Sequence, residues 1–236
     1  MSEARSLREA ILAAPLETSS HGEDPRPGTL YAPLSHQKAL MLDTHVVVGG
    51  RGVGKSFWTA ALQSADLRRM LGFVAPELNA ITVQAGFSQK EGIDRYPSAD
   101  VFRQLLDQGE DPYDVWRAVI LRWVATHARQ SIPTGSWTDT VAWLKAKPEE
   151  AARLMQQPRS WIGLILFDAL DRTSNDWQRM DEIVRGLLKS VLWLKGFSGL
   201  HGKVFLREDQ AERTVFNFPD ASKLLATRAD LTWARH

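Results

Sequence analysis

The sequence contains no cysteine among its 236 residues. That excludes disulfide scaffolds, cysteine nucleophiles and cysteine-ligated zinc or iron–sulfur centres together, and it suits a cytoplasmic setting. An excess of either charge is also missing, because 29 Lys and Arg stand against 28 Asp and Glu for a net charge of +1. Nothing in that balance calls for nucleic acid or an anionic membrane as partner, although a local basic patch stays open. No apolar run approaches the roughly 20 residues that span a bilayer; the longest, Trp161 to Phe167, falls far short, so no membrane association is expected. Met1 to Leu16 alternates charged and apolar residues and lacks the apolar core of a signal peptide. The six histidines are scattered with no HxxxH or HExxH spacing, which argues against a histidine metal site. With 44% hydrophobic and 24% charged residues, the composition is that of a folded globular chain.

At roughly 100 to 200 residues per domain, the length fits one large domain or a domain with an appendage. Ser6 to Ala14 has helical spacing, and a Pro-, Gly- and Ser-rich stretch runs from Pro15 to Pro33. An N-terminal helix and linker arm is therefore expected over 1–34, ahead of a domain over 35–236. Ser35 is the expected cap of a short amphipathic segment, Ser35 to Leu42. Thr44 to Val48 is a compact β-branched run of the kind that forms buried parallel strands. Glycines crowd Gly49 to Gly54, and Lys55 to Met70 has helical composition. A second strand is expected at Ala80 to Gln84, followed by a helical block over about 97–158. Its segments are Ala99 to Gln108, Pro112 to Arg129, Trp137 to Ala146 and Pro148 to Gln157. Trp116, Trp123, Trp137 and Trp143 cluster in that block, where packing between short helices is favoured over a partner surface. The apolar strand Trp161 to Phe167 ends in Asp168, a long helix runs from about Trp177 to Leu194, and Lys203 to Leu206 and Leu231 to Trp233 complete five strands. Strands alternating with helices predict a parallel α/β sheet covered on both faces.

Gly49, Gly50, Arg51, Gly52, Val53, Gly54, Lys55 and Ser56 satisfy the pattern GxxxxGK[ST] in full. At average residue frequencies, a chance match somewhere in 236 positions is roughly one in a hundred. The motif also follows an expected strand and opens an expected helix, which is its confirming context. Glycines let successive backbone N–H groups turn inward around a phosphate, and the helix N-terminus adds partial positive charge. In that arrangement Lys55 reaches the β- and γ-phosphates and the hydroxyl of Ser56 ligates Mg²⁺. Phe57 follows the loop directly, and Arg51, inside it, is a candidate contact for the terminal phosphate or a neighbouring subunit. Trp58 is expected to pack in the core, with an approach to a base left open.

This loop resembles the Walker A motif of the P-loop NTPases. A second carboxylate at the end of another buried strand is then needed for Mg²⁺, and Asp168 fits. Phe167, Asp168, Ala169, Leu170, Asp171 and Arg172 resemble the second motif of the STAND and KAP branches of the additional-strand P-loop ATPases. The sequence departs from that pattern at Ala169, where an acidic residue usually stands. The resemblance makes Asp171 the nearest substitute for the water-activating carboxylate and leaves room for slow hydrolysis. It also gives Arg207, just after the fourth strand, the place of the residue that senses the γ-phosphate, a task suited to a planar guanidinium. An exposed arginine paired with Glu208 or Asp209 is the plainer alternative. The implied fold is a three-layer P-loop NTPase with strand order 5-1-4-3-2 and a helical insertion between the second strand and the aspartate strand. Partition-type ATPases carry a signature lysine where Gly50 stands here, and no LSGGQ-like segment of the ABC class is present.

The resemblance implies Mg²⁺-dependent binding and hydrolysis of ATP, used as a conformational switch in a larger assembly. ATP is expected over GTP because no NKxD-type motif is present. The sequence ends at His236 soon after the fifth expected strand, without the lid of STAND and AAA-type proteins. Either more chain or a partner, another protein or a second copy, is expected to complete the site. A nucleotide-holding scaffold with little turnover and a small-molecule kinase are the alternatives. Service in bacterial signalling or phage defence is a family association only.

Overall fold

The computed structural model describes residues 25–233. The expected helix at Ser6 to Ala14 lies outside the described residues. A five-stranded, all-parallel sheet organises the chain, built from β1 (Val46–Val48), β2 (Ile81–Phe87), β3 (Ile162–Phe167), β4 (Leu200–Leu206) and β5 (Ala229–Asp230). Its order is β5-β1-β4-β3-β2, so β3 lies next but one to β1, with β4 between.

The two-residue period of the strands sorts their side chains between two cores. Val47, Leu164, Leu166 and Phe205 face one side, where they pack with the buried residues of α1 (Leu34–Leu40), α2 (Lys55–Gln63) and α3 (Ala65–Leu71). Val46, Val48, Ile165, Phe167, Val204 and Leu206 face the other. There they meet α4 (Ala99–Asp107), α5 (Pro112–Ala128), α6 (Trp137–Ala146), α7 (Pro148–Gln156) and α8 (Trp177–Leu194). A short α9 (Ser222–Leu225) precedes β5. The helical block does fall between β2 and β3, and its tryptophans are packing groups: Trp116 and Trp123 are fully buried and Trp137 nearly so.

Local chemistry explains where the main helices begin. Asp111 accepts a hydrogen bond from the Tyr113 amide ahead of Pro112, and Asp176 accepts one from the Arg179 amide to start α8. Three sequence expectations need correction. Ser35 does not cap α1, which starts after Pro33 with no side-chain cap; its hydroxyl donates instead to Thr232 O at 2.7 Å. The helix expected over Lys55 to Met70 is two helices, because the Ser64 side chain accepts from the Leu67 amide and starts α3 afresh. The fifth strand pairs through Ala229 and Asp230 and not through Leu231 to Trp233, although the Leu231 amide still donates to Val48 O.

Two buried cations hold the frame together. The Arg68 guanidinium donates to the carbonyls of Leu62, Leu78 and Ile81, tying α3 to the start of β2. Lys203, with no exposed surface, donates to the carbonyls of Ala39, Met41 and Thr44 at 2.7, 2.8 and 2.6 Å. Three acceptors match the three hydrogens of an ammonium group, which offsets the cost of burying it.

Candidate functional site

The loop between β1 and α2 sits at the carboxyl end of the sheet, the edge where open α/β folds place ligands. Its backbone turns on Gly52 (φ 77°) and Gly54 (φ 102°), left-handed conformations that a side chain would strain. Gly54 immediately precedes α2, so the helix N-terminus opens directly onto the loop. Lys55 lies back across it, with its ammonium donating to Gly49 O at 2.7 Å and Gly50 O at 2.6 Å. Two of its three hydrogens are thereby used and the third stays available to a ligand. Burial lowers the Lys55 pKa, with Arg207 pulling the same way and Asp168 opposing both. Gly52, Gly54, Lys55, Ser56 and Phe57 line the loop's cleft, Arg51 is exposed, and Val53 packs over Gly49. Phe57 is half-buried with its ring edge-on to Trp58, 5.1 Å between centroids. Trp58 is buried in the core, as expected, and donates to His36, so it is not open to a base.

The sheet brings Asp168 to this loop from the end of β3. Its side chain is 4% exposed, and its backbone amide donates to Phe87 O on the neighbouring strand. Burial raises its carboxyl pKa, opposed first by the hydrogen bond from the Ser56 hydroxyl, then by the Ala169 amide and the Lys55 charge. A buried carboxylate beside a hydroxyl is a hard oxygen donor pair that suits Mg²⁺, which takes few protein ligands and leaves the rest to phosphate oxygens and water. Among the described residues, no group of three or more His, Asp or Glu side chains gathers as a metal site of its own.

Ala169 stands at φ 57°, and the turn it opens, Leu170–Arg172, carries Asp171. Asp171 is half-exposed, 3.8 Å from the Arg207 guanidinium, which also pairs with Asp209. Arg207 thus stands at the end of β4, between β1 and β3, but it is held by two carboxylates. Neither Asp171 nor Arg207 lines the cleft that opens from Lys55, Ser56 and Asp168.

That cleft, about 1110 Å³, runs along α2 past Thr59 and Gln63 to a far wall made by residues 88–96. No sequence motif marks this wall, and one buried tyrosine organises its loop. The Tyr96 ring packs against Phe87, and its hydroxyl bonds Ser88 Oγ and the Lys90 carbonyl, closing the loop on itself. Arg172 donates to the Gln89 carbonyl, linking the wall to the turn after Asp168.

No protein-family model, curated protein or solved structure matches the chain. The described residues form an all-parallel α/β fold, and no helix among them is long and apolar enough to cross a membrane.

Proposed function

We propose that the chain binds ATP with Mg²⁺ at loop 49–56 and hydrolyses it, acting as a P-loop ATPase whose nucleotide state switches a larger assembly. The observation that carries this reading is the placement of Ser56 and Asp168, residues remote in sequence, with Lys55 and the loop glycines in the lining of one cleft. The strand order β5-β1-β4-β3-β2, the one implied by the resemblance to additional-strand ATPases, supports it as well.

In this reading the loop amides and the α2 N-terminus take the β-phosphate, and the free hydrogen of Lys55 meets the β- and γ-oxygens. Ser56 and Asp168 hold Mg²⁺, which neutralises charge on the phosphates. The raised pKa of Asp168 then has a purpose, because a carboxylate deprived of water gains most from a cation placed beside it. Asp171 orients or deprotonates the attacking water, and Arg207 is released from Asp209 to balance charge at the γ-phosphate. A partner chain completing the site, from another protein or a second copy, belongs to the same proposal.

Ala169 favours a second reading, in which nucleotide is held with little turnover: its methyl replaces the expected carboxylate, and Asp171 lies outside the cleft. Phosphate release from ATP with Mg²⁺ separates the two. Multiple turnovers that disappear in Lys55→Ala support the ATPase, whereas stoichiometric binding without release leaves the scaffold.

A further inference from the structure

The position of Asp168 would give a triphosphate held by loop 49–56 a direction. β3 lies on one side of β1 beyond β4, and β5 lies on the other. With its terminal phosphates beside Ser56 and Asp168 on the β3 side, such a ligand would send its nucleoside toward β5, away from the wall at residues 88–96. The chain emerging from β5 runs along the loop at that point. The Leu231 amide donates to Val48 O at 2.7 Å, and Leu231 Cβ lies 3.2 Å from where a Cβ on Gly49 would stand.

Two residues further on, Trp233 is 58% exposed. Its position is nevertheless fixed. Its ring centroid lies 4.8 Å from that of His36, with the planes inclined at 62°, and the Ser35 hydroxyl clamps the preceding carbonyl of Thr232. His36 in turn is fully buried and accepts at Nδ1 from Trp58 Nε1 at 3.0 Å. Trp58 Nε1 is itself only 3.9 Å from the Cβ position of Gly54 in the loop. A braced, largely open indole thus stands on the side of the loop from which a nucleoside would depart.

Resting on the reading of loop 49–56 as a triphosphate site, we infer that Trp233 is the stacking platform for the base of the bound nucleotide, with His36 as its positioning residue. An indole face suits any base without reading its edge, and stacking of this kind is lost on truncation to alanine.

The test uses the full chain and compares MgATP with magnesium tripolyphosphate, which has the phosphates and no base. Wild type is expected to bind ATP more tightly than tripolyphosphate. Trp233→Ala should weaken ATP by about 5- to 150-fold while leaving tripolyphosphate affinity unchanged, and Trp233→Phe should recover most of the loss. Unchanged ATP affinity in Trp233→Ala overturns the stacking assignment. Equal weakening of both ligands overturns it too, because Trp233 would then act on the loop and not on the base. If wild type binds neither ligand, the triphosphate site itself is wrong.

Discussion

Ser56, in the first turn of α2, and Asp168, directly after β3, line the same cleft beside Lys55. On the proposed reading Asp168 trades stability for binding. Burial raises the Asp168 pKa above its ordinary 3.8, so the folded chain keeps this proton to higher pH than the unfolded chain does. Stability therefore falls as pH rises through that window, and the ionised group burdens the fold at neutral pH. Asp168→Asn should raise the melting temperature without nucleotide, by about 2–4 °C for each kcal/mol of relieved desolvation. On the proposed reading MgATP stabilises wild type further, and the same variant should lose that gain. Thermal melts with and without MgATP check both effects, and a lower melting point for the free variant contradicts the first.

Lys55→Ala removes the ammonium that bridges Gly49 O and Gly50 O. Losing a charge-assisted bond to phosphate should weaken MgATP by about 10- to 150-fold. Equilibrium binding to a fluorescent ATP analogue measures this, and affinity equal to wild type removes Lys55 from the site.

Asp171 lies 3.8 Å from Arg207 and does not line the cleft. Asp171→Asn should keep near-wild-type MgATP affinity and lower turnover roughly 100-fold or more, the range for loss of a general base. Unchanged phosphate release in this variant takes Asp171 out of the mechanism.

The buried Lys203 supplies a pH signature away from the site. Burial pushes its pKa from 10.5 down to about 7. Between about pH 7 and 10.5 the unfolded chain holds a proton that the folded chain has lost, so stability rises with pH across that window. Lys203→Met strips the carbonyls of Ala39, Met41 and Thr44 of their donor and should cost about 2–5 kcal/mol. Denaturant unfolding at pH 6.5 and pH 9.5 should show a gain with pH in wild type that is smaller in the variant. Equal gains in the two proteins contradict this account of Lys203.

The loop could be read from the sequence because its chemistry is local: eight consecutive residues hold the glycines, the lysine and the hydroxyl. Asp168 was readable for a different reason, as a charge ending an otherwise apolar strand. Contacts between distant segments left less trace. The break at Ser64 interrupts an Ala- and Leu-rich run by one side-chain hydrogen bond. β4 begins at Leu200, three residues before the apolar run suggests, because the sheet pairs His201 and Gly202 against β3 whatever their propensity. Nothing local in the sequence marks Arg68 and Lys203 as buried, because the carbonyls that hold them come from other segments. The sequence pattern extends the fifth strand to Trp233, and only the register of β5 against β1 places that residue just past the sheet.

The most direct measurement is calorimetric titration of MgATP into the full chain in millimolar magnesium, repeated with Lys55→Ala and with excess chelator. The account predicts heat for one site per chain that is sharply reduced in the variant and weakened by the chelator. Absence of heat from ATP, GTP and tripolyphosphate alike, with the protein folded, would contradict it.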